Sequence, residues 1–194
     1  MDLSKRQIEI IEAATQLIGR GGVQSLTTKS LAAEMGFSEP ALYRHFSDKN
    51  EILKSVLIYY KEQLKKGLSN VMQSDVTGRE KIKGMIDFQF DHFTKNPAVI
   101  MVIFSETSFQ YNSHLSKLVS EIMRQKSTMV SGIIESGQLG GSIRSDIAPE
   151  QLATMIMGSM RFTILKWRLS NFDFDLIHEG DALWSTIELL IKKE

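Results

Sequence analysis

Apolar residues recur along this chain at helical spacing, and nowhere do they alternate strictly with polar ones over a strand's length. Ile10, Ala13, Ala14, Leu17 and Ile18 share one face of a helix that the pattern places from Ser4 to Ile18. Gly19, Gly21 and Gly22 follow and are expected to end it, because glycine readily takes the left-handed C-cap. A second helix is expected to start at Thr27, whose hydroxyl can cap free backbone N–H groups, with Leu26 and Leu31 at the spacing of a hydrophobic staple. Leu31, Ala32 and Met35 then face inward, Gly36 supplies a turn and Phe37 an apolar plug. A third, short helix is expected from Ser38 as cap to Phe46, with Leu42 and Phe46 as anchors, Glu39 at its positive end and Pro40 in its first turn. Ile52, Leu53, Val56, Leu57, Tyr60 and Leu64 carry a fourth helix from Asp48 to about Met72, opened by a capping pair of Asp48 and Glu51.

The remainder is helical too. The pattern predicts a helix over Arg79–Thr94 and a single, nearly all-apolar and therefore buried one over Ala98–Phe109. A long helix opens at Asn112-Ser113 and ends at the glycines from Gly137 to Gly141. Pro149 suits the first turn of a helix reaching Leu169. The last runs over Leu176–Lys192, with Leu183, Ile187, Leu190 and Ile191 on one side and Trp184 beside them. The fold class is all-α, with about nine helices.

Length and composition narrow the class. A chain of 194 residues buries roughly 70% of its unfolded surface and needs no staples. Cysteine is absent, which excludes disulfides and thiolate metal sites and fits a reducing compartment. MDLSKRQ holds no signal core, and the longest apolar run, Ala98 to Phe104, is too short to span a bilayer. A cytoplasmic protein without membrane contact is expected. The formal net charge is zero, but Lys5 to Lys66 holds ten cations against seven acids. A one-sided basic face, not the sum, is what phosphate contact requires.

The third helix is the anomaly. It is too short to stand alone in water, yet only Leu42, Phe46 and Ala41 offer apolar anchorage, and Glu39, Pro40, Tyr43, Arg44 and His45 are left outside. Small alanines in the second helix, glycine at the turn and a buried aliphatic in the third make a helix–turn–helix, and a protruding basic, aromatic helix fits DNA. The whole block Ile10 to Leu53, IIEAATQLIGRGGVQSLTTKSLAAEMGFSEPALYRHFSDKNEIL, resembles the tetracycline-repressor (TetR/AcrR) family of bacterial transcription regulators. The pieces LTTKSLAAEMG, S-x-x-x-LYRHF and F-S-D-K-x-E-I-L carry the resemblance. It implies an N-terminal three-helix DNA-binding domain over residues 1–50 and a C-terminal helical effector-binding and dimerisation domain over residues 51–194. It also implies that Thr27, Thr28, Lys29, Ser38, Glu39, Pro40, Ala41, Tyr43, Arg44, His45 and Lys49 meet DNA. Of these, Glu39, Pro40, Ala41 and Arg44 lie nearest base edges, where Arg44 suits guanine and Glu39 either accepts from cytosine or favours the helix dipole. Thr27, Thr28, Lys29, Tyr43, His45 and Lys49 suit phosphates.

One module covers little DNA, so a homodimer on a palindromic, double-stranded operator is expected, with recognition helices one turn, about 34 Å, apart. Met155, Ile156, Ser159, Met160, Leu183, Ile187 and Leu190 in the last two helices are the candidate dimer surface, or else ordinary core. Ten Met and ten Phe suggest a small hydrophobic effector. Phe88, Met101, Phe104, Phe109, Met123, Met129, Met155, Phe162 and Trp167 either line its pocket or are core residues at helical spacing. Binding there is expected to act on the fourth helix and release the operator. Asp87, Asp91, His92 and Glu106 read as solvated helix charges. No P-loop, dinucleotide or nucleophile-elbow motif appears, so no enzyme, cofactor or metal is expected. Two alternatives stand beside the inducible repressor: a DNA-binding adaptor without a small-molecule inducer, and a helical interaction protein that does not act on DNA.

Overall fold

The computed structural model describes residues 3–110 and 112–193; the side chains of Glu106 and Thr107 lie outside what is described. Among the described residues there are ten α-helices, one 3-10 turn and no strand. In order they are α1 (Lys5–Gly21), the 3-10 turn (Val23–Ser25), α2 (Thr28–Glu34), α3 (Glu39–Leu42), α4 (Lys49–Gln73), α5 (Gly78–Lys95), α6 (Pro97–Ile103), α7 (Glu106–Phe109), α8 (Ser113–Leu139), α9 (Pro149–Leu169) and α10 (Leu176–Ile191). The chain divides into two compact units, Met1–Gln63 with Asn96–Glu121, and Leu64–Lys95 with Ile122–Glu194. Helices α4 and α8 contribute residues to both.

The first unit is built around α1. Ser4 and Gln7 form a full capping box at its start, and Ile10, Ile11, Ala14 and Ile18 are wholly buried. The helix does not stop at Ile18. It runs to Gly21, and Gly22, with φ +73°, is the residue that turns the chain. Gly19 has a different purpose from the expected one. A Cβ there would stand 2.7 Å from the Ala98 Cβ, so the glycine lets α6 approach α1. Ordinarily Gly→Ala inside a helix gains about 0.5–1 kcal/mol. Here overpacking costs about 1–3 kcal/mol, so Gly19→Ala is expected to lower the urea midpoint with an unchanged m-value. A raised midpoint would show that α6 yields freely.

The expected single helix over Ala98–Phe109 is two. Phe104 and Ser105 leave helical geometry, and the Ser105 hydroxyl turns back to the Met101 carbonyl. Serine's bond to the preceding turn competes with helix continuation. Val99, Ile100 and Val102 of α6 and Phe109 of α7 are buried within this unit.

In the second unit α10 packs on α5 and α9. Gly180 lets the Phe90 ring lie 2.5 Å from where a Cβ would be, and Gly78 meets Gly137 where α5 crosses α8. Ile82, Ile86, Phe93, Val130, Ile134, Ile156, Ile164, Ile187 and Ile191 fill the core. Pro149 sits in the first turn of α9. No helix among the described residues is long and apolar enough to cross a membrane.

Candidate nucleic-acid interface

The segment from α2 to α4 is held by local chemistry. The Thr27 hydroxyl accepts from the Ser30 amide at 2.9 Å, and the Ser30 hydroxyl accepts from the Thr27 amide at 2.9 Å, capping α2 reciprocally. Gly36 takes φ +66°, a conformation costly for any side chain, and lets the Phe37 amide reach the Ala32 carbonyl at 2.8 Å. Leu31, Leu42 and Phe46 are buried, so they fix the inner side of the motif. Phe37 is half-buried and lies under the Arg6 guanidinium, 4.6 Å from its ring centroid. At the entry to α4 the Asp48 carboxylate accepts from the Glu51 amide at 2.9 Å. Glu51 in turn accepts from the Ser47 amide, and that bond holds the Glu51 carboxyl below its ordinary pKa.

Regular α-helix in α3 covers only Glu39–Leu42; the chain then continues as a turn through His45, where the His45 amide reaches the Leu42 carbonyl at 3.0 Å. Ser38 has the extended backbone of an N-cap, but its hydroxyl makes no capping bond. The orienting contact comes instead from Thr28, whose hydroxyl donates to the Glu39 carboxylate at 2.7 Å. That bond engages Glu39, which the sequence left open to cytosine, and ties the starts of α2 and α3 together.

On the outer side Pro40, Tyr43 and Arg44 are exposed, and Glu39, Ala41 and His45 are half-buried. Tyr43 shows 50% of its surface, a large area for an aromatic with no core to join. Arg6 pairs with Glu9 at 2.6 Å and Arg20 with Glu34 at 2.5 Å. By contrast, Lys29 and Arg44 make no ion pair or hydrogen bond among the described residues. Thr27 is exposed and Thr28 half-buried. Lys49, half-buried at the first turn of α4, points its ammonium at the Val23 carbonyl, 3.4 Å away. The His45 carbonyl accepts from Gln7 of α1 at 3.2 Å, which anchors the end of the motif. What results is a short helix with a fixed inner side and an outer side of unspent donors, suited to base edges, above hydroxyls and a lysine suited to phosphates.

The candidate effector residues fall in both units. Met101, Phe104 and Phe109 belong to the first unit, and Phe88, Met123, Met129, Met155, Phe162 and Trp167 to the second. Phe162, Met123 and Met155 are 63%, 50% and 38% exposed, because they lie on the outer sides of α9 and α8. Side chains this exposed line no enclosed pocket within the second unit. Trp167 is committed to the turn after α9, where its indole donates to the Phe174 carbonyl at 2.8 Å and its ring meets Phe172 edge-on. Phe88 rests on Gly67 and stacks with His92. A cleft of about 280 Å³ between α5 and α10 is lined by other residues, Lys83, Asp87 and Asp181 among them.

Of the candidate dimer residues, three take the core alternative that the sequence left open and are removed from the surface. Ile156, Met160 and Ile187 are at most 2% exposed, since they face the chain's own core. Met155 and Leu190 do face outward, Ser159 and Leu183 partly, and Leu169 and Leu189, which the sequence reading omitted, are 71% and 65% exposed. Their signal was there: Met155, Phe162 and Leu169 recur every seven residues.

Sequence reading also missed two polar residues inside apolar stripes. Gln89 takes a core position between Ile82, Met85 and Phe93 of α5. Lys126 falls between Ile122, Val130 and Ile133 on α8, where the stripe calls for an aliphatic residue.

Residues 10–56 match the model of bacterial regulatory proteins of the tetR family, and residues 51–192 that of the C-terminal region of YsiA-like proteins. The nucleoid occlusion factor SlmA of Vibrio atlanticus is 22% identical over 190 residues, covering 97% of both chains. The fatty acid metabolism regulator protein of Bacillus subtilis is 23% identical over 186 residues, covering 96% of this chain and 94% of its own. Among solved structures, the regulator FadR from Bacillus subtilis in complex with stearoyl-CoA superposes with a TM-score of 0.82 at 21% identity. That superposition covers 93% of this chain and 96% of the other, and at such identity it carries the fold.

Proposed function

The chain belongs to the tetR family of bacterial regulatory proteins, and on that premise we propose that it is a transcriptional repressor whose homodimer binds a palindromic operator through α3 and is released by a small apolar effector. The observation that carries this reading is the outer side of α3, with Arg44 unpaired beside exposed Tyr43 and Pro40. An exposed arginine in the turn that follows a helix of four residues contributes nothing to the core; a guanine edge would give it two hydrogen bonds. Thr27, Thr28, Lys29, Tyr43, His45 and Lys49 position the module on phosphates. Release needs an effector that binds the free protein better than the operator-bound one, by about 1.4 kcal/mol for each tenfold loss of DNA affinity. We place that coupling in α4.

Footprinting on the DNA upstream of its own gene tests the reading. The expected result is a protected palindrome whose half-sites lie about 34 Å apart. Absence of protection at moderate salt overturns it. A second reading, a DNA-binding adaptor with no small-molecule inducer, is favoured by the likeness to proteins named nucleoid occlusion factors. It predicts the same footprint, but no ligand that removes it.

A further inference from the structure

Two polar side chains that the sequence assigns to separate DNA contacts are joined in the structure. The Thr28 hydroxyl, at the first position of α2, donates to Oε2 of Glu39 at 2.7 Å, across eleven positions of the chain. Both residues are half-buried, unlike the exposed Pro40, Tyr43 and Arg44 that follow. A hydroxyl carries one proton. Thr28 gives it to Glu39, so any phosphate that Thr28 meets is met by its backbone amide. Glu39 stands at the first position of α3, and the N-terminal residues of a recognition helix are the ones that contact base edges. Its carboxylate is held by one oxygen only. Among the described residues Oε1 has no donor, and no cation pairs with the group. Ser38 makes no capping bond, so Thr28 is the side chain that ties down the start of α3.

An ionised carboxylate only accepts. Beside DNA the phosphates repel it, and a donor on a base edge is what offsets that cost. In the major groove the donors are the exocyclic amines of cytosine and adenine, while guanine and thymine turn acceptors outward. Adenine sets its N7 acceptor next to N6, whereas cytosine presents N4 with no acceptor beside it. Cytosine therefore suits a carboxylate best. We propose that Thr28 is a positioning residue for base readout: by holding Oε2 of Glu39 it aims Oε1 at the amine of one cytosine in each half-site. This rests on the operator-binding reading above. Without the hydroxyl the carboxylate swings into solvent, and both the bond to cytosine and the rejection of guanine and thymine are lost.

The test uses the full-length protein and its footprinted operator, with all four bases placed in turn at each position of the half-site. Anisotropy titrations compare the parent with Glu39→Gln, Thr28→Val and Thr28→Ser. For the parent, one position is expected to favour cytosine over guanine and thymine by about fivefold or more. Glu39→Gln is expected to move that preference to adenine, whose N6 and N7 a carboxamide matches. Thr28→Val keeps the branched shape without the hydroxyl and is expected to flatten the preference at that position alone. Thr28→Ser keeps the hydroxyl and is expected to retain it. The position that Arg44 reads is the internal control, because a module whose α2 and α3 have merely come apart loses discrimination there as well. Uniform weakening of every duplex by Thr28→Val makes its hydroxyl a phosphate contact and overturns the proposal. Loss of discrimination at every position overturns it too, as does a cytosine preference that survives Glu39→Gln or Thr28→Val. In each of these cases the operator reading stands. If the parent protects no palindrome, the operator reading itself falls, and this proposal with it.

Discussion

Replacing Arg44 with alanine is expected to weaken operator binding by about 1–3 kcal/mol, roughly 5- to 150-fold, while affinity for a random duplex barely changes. The asymmetry follows from where the side chain sits. Arg44 is exposed in the turn just past α3 and makes no ion pair among the described residues, so its removal is expected to cost the fold almost nothing. Its worth lies in a bidentate contact to one base, and that contact vanishes only on the cognate sequence. Lys29→Ala serves as the contrast. Lys29 is an exposed lysine in the first turn of α2, beside the Thr27–Ser30 capping box. If it neutralises one phosphate, its loss weakens every duplex alike and lowers the slope of log K against log salt by about 0.9. Titrations of both variants on operator and random DNA, at several salt concentrations, separate the two roles. Equal losses on both duplexes for Arg44→Ala would make it a phosphate contact. Parent-like binding by both variants would mean that α3 does not present this side to DNA.

The DNA-binding motif was legible because its signals are local. Thr27 and Ser30 cap across three residues, Gly36 turns where a positive φ is needed, and Leu42 and Phe46 anchor one helical turn apart. The features that escaped depend on partners distant in sequence. Gly19 reads as a helix breaker until Ala98 arrives against it. The break at Phe104–Ser105 is set by one hydroxyl choosing a carbonyl over solvent. Met and Phe content likewise cannot say which way each side chain faces: Phe109 is buried and Phe162 lies open, though the sequence offers both as pocket or core residues alike. Apolar spacing leaves Ile156 and Ile187 open between dimer surface and core, because a helix with apolar residues on two sides offers the same periodicity to both; both are buried. Lys126 and Gln89 were legible and passed over. A polar residue in an otherwise apolar stripe is a stronger signal than another methionine, because its burial has to be accounted for.

Phe162→Glu is expected to convert a dimer into a monomer. Once the buried residues are removed from the candidate surface, α9 still presents Met155, Phe162 and Leu169 at intervals of one heptad, all more than a third exposed. Gly158 lies between the first two, and a Cβ there would meet nothing within 4 Å. A flat, small residue flanked by large apolar ones admits a second helix closely. On α10, Leu189 and Leu190 add exposed apolar area. Stable interfaces cover about 1,200–2,000 Å² and draw most of their energy from a few central aromatic or apolar residues, each worth about 2–4 kcal/mol. Phe162 is the only aromatic in that heptad series. A carboxylate there is desolvated twice, once from each copy across the two-fold axis. Sedimentation at micromolar concentration is expected to show a dimer for the parent and a monomer for Phe162→Glu, with operator affinity falling as the paired half-site contact is lost. Leu139→Glu is the matching control. Leu139 is 86% exposed but ends α8, a different helix from the one that carries the heptad series, so its variant is expected to remain dimeric. A parent that sediments as a monomer while protecting a palindrome, or a dimeric Phe162→Glu, would place the two-fold axis on another surface.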